Sequence, residues 1–352
     1  MEYQDFELRA SAGYKIRAES DQGEIDDDLS LDLDKIGLAL QLVEREQTNL
    51  DLLQGLGARL HDALLPADIH AHLRATVAAA DAVGSGVRLR LVLDPPELSA
   101  LPWEFLFDDD TNTFLGNSIQ TVLSRYIPVP LPRRDIRVVT PPLKILLVLS
   151  DPKDLPRLDL AGEEDLIREG MAQQVAAGRV EIDTVSPATI RTINQALREK
   201  PYNVFHYVGH GDFRDDQGAI ALEDEDGLCR LVDDQTFSNF FLGNRTLGLA
   251  VLNSCKGAVT SSGRAFVGIA PNLVRRGIPA VIAMQYSILD DSAKLFASEF
   301  YRTLSLGWPI DAAVQTTRNA LSMEVGLDKR DFATPVLFMR AKDGIILEGL
   351  QP

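Results

Sequence analysis

The chain has 352 residues, of which 45% are hydrophobic and 25% are charged, as in a soluble folded protein with room for two modest domains. Its formal net charge of −17 repels phosphate backbones and disfavours a general nucleic-acid binder. Two cysteines, Cys229 and Cys255, are too few for a disulfide framework, and the first residues lack the basic and apolar regions of a secretory signal. The apolar runs are far shorter than the roughly 20 residues that cross a bilayer. We therefore expect a cytoplasmic protein that binds neither nucleic acid nor membrane directly.

The first part of the chain has the pattern of a mixed α+β region. Alternating apolar residues over 5–10 and 14–18 predict a hairpin that turns at Gly13. The acidic stretch over 26–34 has no ligand spacing that we recognise, and it predicts a solvated connection. Apolar residues at helical spacing over 36–60 then predict one or two amphipathic helices.

A proline-rich run over residues 128–142 is the best domain boundary in the sequence. It separates an N-terminal α+β extension, residues 1–135, from a second domain, residues 136–352. In the second domain the predicted strands are 143–149, 180–185, 204–208, 247–252 and 280–284, and the predicted helices are 160–177, 188–200, 265–276 and 292–306. This alternation predicts an α/β fold, a mostly parallel sheet flanked by helices on both faces.

A histidine and a cysteine follow two of these strands, at the sheet edge where reactive groups collect. Strand 204–208 runs into FHYVGHGDF, which contains His210, and strand 247–252 runs into LAVLNSCKGA, which contains Cys255. An imidazole beside a thiol favours the nucleophilic thiolate. The sequence therefore predicts a catalytic pair, with the backbone N–H groups of Gly211 and Cys255 as an oxyanion hole.

Histidine and cysteine residues also have structural roles. A single cysteine after a strand is commonly a small buried apolar residue, and we assign this role to Cys229. A histidine can serve as a turn residue or pack in a core, and His206, which shares a strand face with His210, is expected to pack in the core. Gly209 and Gly211 allow a sharp backbone turn beside His210, which favours the catalytic interpretation of the pair.

The two segments around the pair resemble the signature segments of the CHAT family, a branch of the caspase-like cysteine peptidases that also includes separases and metacaspases. Three further segments look like family segments in the family's order: LPWEFLFD, the hairpin GAIALEDEDG and LVRRGIPAVIAMQYSILDDSAKLFASEFYRTLSLG. The resemblance therefore covers nearly the whole chain. It implies a caspase-like fold in which Cys255 attacks the scissile carbonyl, His210 is the base or thiolate partner, and no third acid is obligatory.

The resemblance also implies a place for the N-terminal region and for the substrate pocket. The N-terminal region looks like the family's own extension packed on the peptidase domain, where Trp103 and Phe105 either contact that domain or pack inside the extension. In caspase-like folds the loop after the first strand and positions near the cysteine build the pocket for the residue before the cut. Here those positions hold Ser150, Asp151 and Asn253, with Asp212 nearby.

This pocket carries acidic residues where caspases use basic ones. Carboxylates favour a basic side chain through charge-assisted hydrogen bonds, so we expect cleavage after Arg or Lys with Asp151 as the leading specificity residue. The alternative is that Asp151 only starts the Asp-Pro turn. Met284, Gln285 and Tyr286 replace a small-residue, Trp-containing stretch of many family members, and we expect Gln285 to line the substrate groove.

The expected function is that of an intracellular cysteine endopeptidase that cuts a small number of protein targets and is switched on by a partner protein or a ligand. We expect no cofactor and no bound metal. The acidic hairpin over 223–226 lacks the ligand spacing of a calcium loop and predicts a plain β-turn, although some related peptidases need calcium. Two alternatives stay open: an interaction module that kept the fold, and a Cys-His hydrolase or transferase that acts on something other than peptides.

Overall fold

The structure is a computed structural model that describes residues 2–130, 132–138, 140–214, 217–254 and 262–348. It divides into two compact units. The first comprises Met1–Pro128 and Val314–Ala333, and the second comprises Val129–Ala313 and Thr334–Pro352. The domain division after residue 135 stays a prediction. The first unit also contains the late segment Val314–Ala333, which no local sequence pattern assigns to it.

The first unit is built on a mixed sheet with helices. Its elements are β1 (Tyr3–Ser11), β2 (Lys15–Ser20), β3 (Gly23–Asp28), α1 (Leu33–Glu44), α2 (Leu50–Leu64), α3 (Ala67–Asp81), β4 (Gly86–Leu93), α4 (Pro96–Ser99), β5 (Phe107–Asp108), β6 (Thr113–Phe114) and β7 (Thr121–Arg125). The strand order is β3-β2-β1-β4-β7. The pairs among β1, β2 and β3 are antiparallel, whereas β4 is parallel to both β1 and β7. The predicted hairpin at Gly13 is therefore confirmed.

The acidic stretch after the hairpin is not the solvated connection that the sequence predicts. Its first part lies in β3, where Asp26 is opposite Arg17 and Asp28 is opposite Lys15 on β2. Opposite charges directly across an antiparallel pair stabilise the pairing. Further along, Asp32 is the N-cap of α1 and accepts hydrogen bonds from two backbone N–H groups.

Trp103 and Phe105 lie in the core of the first unit. Both side chains are fully buried. The indole Nε1–H of Trp103 donates to the Leu98 carbonyl over 2.7 Å, and Phe105 meets Phe332 edge-on with 5.5 Å between the ring centroids. This is the core packing that was one of the two roles expected from the sequence.

The second unit alternates strands and helices in the predicted manner. Its elements are β8 (Leu143–Leu149), α5 (Leu160–Gly170), α6 (Ala172–Ala176), β9 (Val180–Val185), α7 (Ile190–Glu199), β10 (Val204–Gly209), β11 (Gly211–Arg214), β12 (Gln217–Glu223), β13 (Cys229–Asp233), α8 (Asp234–Asn239), β14 (Leu249–Ser254), α9 (Ser262–Arg275), β15 (Ala280–Met284), α10 (Asp290–Ser305), the first residues of α11 (Ile310–Glu324), and β16 (Pro335–Met339). The predicted helix over 160–177 is two helices, because the chain leaves helical geometry at Met171. Within the described ranges, no helix combines the length and the apolar character that crossing a bilayer requires.

The main sheet of the second unit has the strand order β16-β15-β14-β10-β8-β9 and is parallel except for β16. Strand β10 shows how both of its faces are covered. On one face Phe205 packs against Phe237 and Phe241, and on the other His206 stacks on Tyr301 of α10. The predicted α/β fold, a mostly parallel sheet flanked by helices on both faces, is confirmed. The strands β11, β12 and β13 form a separate antiparallel sheet.

Candidate functional site

The two strands that lead to the predicted catalytic pair are neighbours. Strands β10 and β14 pair in parallel with Gly209 opposite Ser254, the last residue of β14. His210 follows Gly209 directly. Cys255 follows Ser254 directly and lies outside the described residues. His210 and the end of β14 therefore lie at the same edge of the sheet, as expected, while the role of Cys255 as nucleophile stays a prediction.

The imidazole of His210 is oriented by a backbone carbonyl. Its ring is buried, and Nε2 lies 2.8 Å from the carbonyl oxygen of Pro156. Because a carbonyl only accepts hydrogen bonds, Nε2 carries the proton that it donates. In the neutral ring the lone pair is then on Nδ1, which is buried and forms no hydrogen bond with any described residue. Nδ1 is therefore the atom that can act as a base.

The loop that carries Pro156 is fixed by the turn between β12 and β13. The Lys153 backbone N–H donates to the carbonyl of Gly227 over 2.9 Å. In the opposite direction, the backbone N–H of Cys229 donates to the Asp154 carboxylate over 2.7 Å. These two bonds hold residues 153 and 154 of the loop, so the Pro156 carbonyl, which accepts from His210, is positioned before any substrate binds.

The acidic hairpin is the β-turn that the sequence predicts. The Asp224 carboxylate accepts hydrogen bonds from the backbone N–H groups of Asp226 and Leu228, at 2.9 and 2.8 Å, and Gly227 has a φ of 76°. An aspartate that bonds its own turn in this way stabilises the turn. A calcium requirement stays a prediction.

Cys229, expected to be buried, is only half-buried at the start of β13.

The backbone N–H of Gly211, predicted to belong to an oxyanion hole, is not used by the β11–β12 ladder, and its catalytic role stays a prediction. The Ala221 N–H donates to the His210 carbonyl over 3.0 Å, so these two residues are a hydrogen-bonded pair of the β11–β12 ladder. Such pairs alternate with non-hydrogen-bonded ones, and Gly211, opposite Ile220, is the next pair. Its N–H therefore points away from β12 and is not used by that ladder. The other predicted donor, the Cys255 N–H, lies outside the described residues.

Gly209 lies where the chain passes from β10 to β11, and close packing also requires a glycine there. A Cβ atom at this position would lie 2.3 Å from the Tyr207 hydroxyl oxygen and 3.1 Å from the Cβ of Ser150. The Tyr207 hydroxyl lies 2.7 Å from the Ala221 carbonyl, to which the Ser150 hydroxyl also donates over 2.7 Å. Glycine is thus required so that the ends of β8 and β10 can approach the β12 strand closely.

Asp151 follows β8 and already binds a guanidinium group. Its carboxylate forms an ion pair with Arg157, whose side chain is 65% exposed, whereas that of Asp151 is 28% exposed. The Asp151 backbone N–H is 3.5 Å from the Glu223 carboxylate. The role of Asp151 in substrate binding, and the alternative that it only starts an Asp-Pro turn, both stay predictions.

The other three predicted pocket residues are buried. Asn253 is fully buried and its side-chain amide donates to Glu163 on α5, so it ties β14 to that helix. Asp212 lies on β11 with a buried carboxyl group. Gln285 is 8% exposed, and its backbone N–H donates to the Thr334 carbonyl over 2.9 Å. Substrate contacts by these residues stay predictions, and the contact with Glu163 gives Asn253 a structural role.

His206 is the packed core histidine that the sequence predicts. Its ring stacks on Tyr301 with 5.6 Å between centroids, and Nδ1 lies 2.8 Å from the Tyr301 hydroxyl. Its Nε2 is 3.9 Å from the Glu163 carboxylate. Burial lowers the pKa of His206 to about 3, so the ring is neutral near pH 7.

Protonation of His206 is expected to destabilise the protein in acid. The pKa of His206 is lower in the folded than in the unfolded state. The stabilisation of the folded state by the neutral ring is therefore fully present above about pH 6.5 and is lost as the pH falls toward 3. The loss is at most about 1.4 kcal/mol per pH unit. We expect the free energy of unfolding of a His206→Gln variant to fall less steeply than that of the wild type between about pH 6.5 and 4.5. Urea denaturation at both pH values measures these slopes, and equal slopes would exclude this role.

Two candidate functional features were not predicted from the sequence. One is the Pro156 carbonyl, which becomes a partner of His210 only through the folding of the loop after β8. The other lies in the first unit, where His61, His70 and Asp108 form a group of side chains that could hold a metal ion. Neither is signalled by a local sequence motif.

Comparison with known proteins gives one family match and several structural ones. A family model described as CHAT domain matches residues 54–332. No curated protein matches the sequence. Two crystal structures of the separase–securin complex from Saccharomyces cerevisiae are similar to the chain, with TM-scores of 0.42 and 0.43 and identities of 17% and 16%. The matches cover 85% and 82% of this chain, which spans 18% of each matched chain.

Proposed function

The chain belongs to the CHAT domain family, and we propose that it is an intracellular cysteine endopeptidase that uses His210 and Cys255 as its catalytic pair. The observation that carries the proposal is the state of His210. Its Nε2–H is committed to the Pro156 carbonyl, and its Nδ1 is the free basic atom at the end of the strand beside the one that leads to Cys255. A nucleophile needs a base that is oriented in this way by a third group.

The proposed reaction is acyl transfer in two steps. Nδ1 of His210 takes the thiol proton of Cys255, and Sγ attacks the scissile carbonyl carbon. The negative charge that develops on the carbonyl oxygen is stabilised by the N–H groups of Gly211 and Cys255. The protonated imidazole then gives its proton to the leaving amine, and water hydrolyses the thioester with the same base. The Pro156 carbonyl stabilises the imidazolium, because it accepts the Nε2–H throughout.

The test of this function compares the wild type with a Cys255→Ala variant in a cell extract, with new protein termini identified by mass spectrometry. We expect a small set of new termini with the wild type alone. An interaction module would give no new termini with either chain. Equal cleavage by both chains would contradict the proposal.

We further propose that the peptidase cuts after arginine or lysine and that Asp151 binds the basic side chain. The ion pair with Arg157 supports this, since it demonstrates that a guanidinium group fits beside the Asp151 carboxylate. Arg157 is largely exposed and can swing into solvent at little cost, because exposed ion pairs contribute about 0–1 kcal/mol. A substrate arginine would then take its place.

Substitution of Asp151 is expected to change specificity. A charge-assisted hydrogen bond is worth about 1.5–3 kcal/mol, so Asp151→Asn should lower kcat/KM for peptides with arginine before the cut by roughly 10- to 100-fold. Arg157→Ala should raise it, because the competing guanidinium is gone. Arg191→Ala is the matched control, since Arg191 is an exposed arginine paired with Glu225. A fluorogenic peptide panel measures these values, and a preference for acidic or large apolar residues would overturn the assignment.

We also propose that a partner protein or a ligand switches the activity on, since an unrestrained peptidase would cut its targets at all times. The purified chain alone is then expected to turn over peptides slowly, and an extract should stimulate it. Full activity of the purified chain without any addition would contradict this regulation without affecting the assignment of the catalytic pair.

A further inference from the structure

Three potential metal ligands converge in the first unit, where the sequence predicts no metal. His61 lies on α2, His70 on α3 and Asp108 at the end of β5. One potential ligand atom from each lies within 4.8 Å of the other two. The two imidazole rings meet edge-on with 4.8 Å between centroids, and Nε2 of His70 is 3.8 Å from the Asp108 carboxylate.

We propose that His61, His70 and Asp108 bind a zinc ion. Zinc–nitrogen and zinc–oxygen bonds are about 2.0–2.2 Å long, so two ligands of a tetrahedral ion are roughly 3.3 Å apart. The distance between His70 and Asp108 exceeds this by about half an ångström, a change that small side-chain rotations supply. Two imidazoles and one carboxylate are a set of donors that suits zinc, and they leave the fourth position to water.

Two of the three side chains have polar neighbours beside them. Nε2 of His61 is buried and forms no hydrogen bond with any residue that the structure describes, while Nδ1 lies 3.7 Å from the Asp62 carboxylate. One oxygen of Asp108 accepts the backbone N–H of Asp110 over 2.9 Å, which leaves the other to face His70. A hydrogen bond such as the one to Asp108 orients a ligand. Zinc would give the buried Nε2 atom a partner that it otherwise lacks.

A cationic group of the protein already occupies the entrance to this cluster. Nε of Arg74 donates to Nε2 of His70 over 3.2 Å, and its terminal nitrogen is 3.6 Å from Asp108 and 2.8 Å from Asp110. The guanidinium thus uses the imidazole lone pair that a metal would use. Its side chain is 49% exposed, so zinc can displace it into solvent. Arg74 shows that the cluster attracts a cation, and it predicts a competition that can be measured.

The scaffold around the cluster is rigid enough to fix its geometry. Helix α2 packs tightly on the segment that leads to β5, since a Cβ atom at Gly57 would lie 2.2 Å from the Phe105 carbonyl oxygen. His61 is one turn further along this helix. A bound ion would tie α2, α3 and β5 together and so stabilise the first unit.

The test uses the 352-residue chain with Cys255→Ala and without an affinity tag, so that neither the Cys255 thiol nor added histidines take up the metal. The chain is treated with EDTA, dialysed and titrated with zinc chloride in a calorimeter. We expect one site, and a thermal unfolding midpoint that rises with zinc concentration, because an ion that binds only the folded state stabilises it. His70→Gln and Asp108→Asn should each weaken zinc binding by about 100-fold or more.

Two further variants make the test specific. His72→Gln is the matched control, because His72 lies on the same helix but contacts Ser20 instead of the cluster. It should bind zinc as the parent chain does. Arg74→Gln removes the competing guanidinium and should bind zinc several-fold more tightly, with no loss of a buried group. Absence of binding to the parent chain, or unchanged binding in His70→Gln and Asp108→Asn chains that remain folded, would overturn the proposal. A weaker affinity in Arg74→Gln would also contradict it.

Discussion

A His210→Gln variant is expected to lower kcat/KM for peptide cleavage by about 10²- to 10⁴-fold, the usual contribution of a general base. Glutamine can still donate from its amide to the Pro156 carbonyl, so the loop after β8 should keep its position. What the variant loses is the basic Nδ1 atom. The measurement is hydrolysis of a fluorogenic peptide with arginine before the cut, with His72→Gln as a control for the loss of a histidine.

The folded fraction of the same chains separates a base from a structural residue. If His210 is the base, kcat/KM of His210→Gln falls although circular dichroism and the thermal unfolding midpoint match those of the wild type. A structural role would instead reduce activity in proportion to the unfolded fraction. A variant with wild-type kcat/KM would exclude His210 from the mechanism.

A Glu104→Gln variant is expected to destabilise the first unit by about 3–5 kcal/mol, since it removes one partner of a buried ion pair. Glu104 is 1% exposed and binds Arg125 through both carboxylate oxygens, at 3.0 and 2.6 Å. A second buried guanidinium, that of Arg318, lies 3.9 Å away. Burial lowers the pKa of Arg318 to about 10, which shows how strongly this environment disfavours charge. Glutamine would leave both guanidinium groups facing a neutral amide.

The fluorescence of Trp103 reports on the unfolding of the region around Glu104, because the buried Trp103 comes directly before Glu104 in the chain. Urea denaturation followed by tryptophan fluorescence should show a lower midpoint for Glu104→Gln. The matched control is Glu97→Gln, an exposed glutamate a few residues earlier, which should leave the midpoint within the range of surface substitutions, about 0.5 kcal/mol. Similar midpoints for the two variants would show that the buried network contributes little.

The features that the sequence predicts well are those set by local pattern. Strands β8, β10 and β14 are continuous apolar runs, so their positions and their parallel order follow from periodicity and from the alternation with helices. The place of His210 at the end of β10 follows in turn. The β-turn in the acidic hairpin is also predicted by local pattern, since glycine suits the positive φ of position 227.

The features that the sequence does not predict depend on contacts between distant segments. Helix α11 escapes detection because Gln315 and Arg318, which interrupt its apolar pattern, are buried and hydrogen-bonded to each other. The partner of His210 is a backbone carbonyl, which has no residue signature. Asn253, assigned to the substrate pocket by the resemblance, also contacts Glu163 on α5, a contact that no sequence pattern signals. The metal-ligand group combines residues 9 and 38 positions apart on three elements, so no spacing rule reveals it.

The central claim, that Cys255 is the nucleophile activated by His210, is tested most directly by covalent labelling with an arginine-containing peptidyl electrophile. Intact-mass spectrometry should find one adduct per wild-type chain, and peptide mapping should place it on Cys255. A Cys229→Ser variant should be labelled like the wild type, and Cys255→Ala should remain unlabelled. Labelling of Cys255→Ala to the same extent as the wild type, or an adduct on Cys229, would contradict the claim.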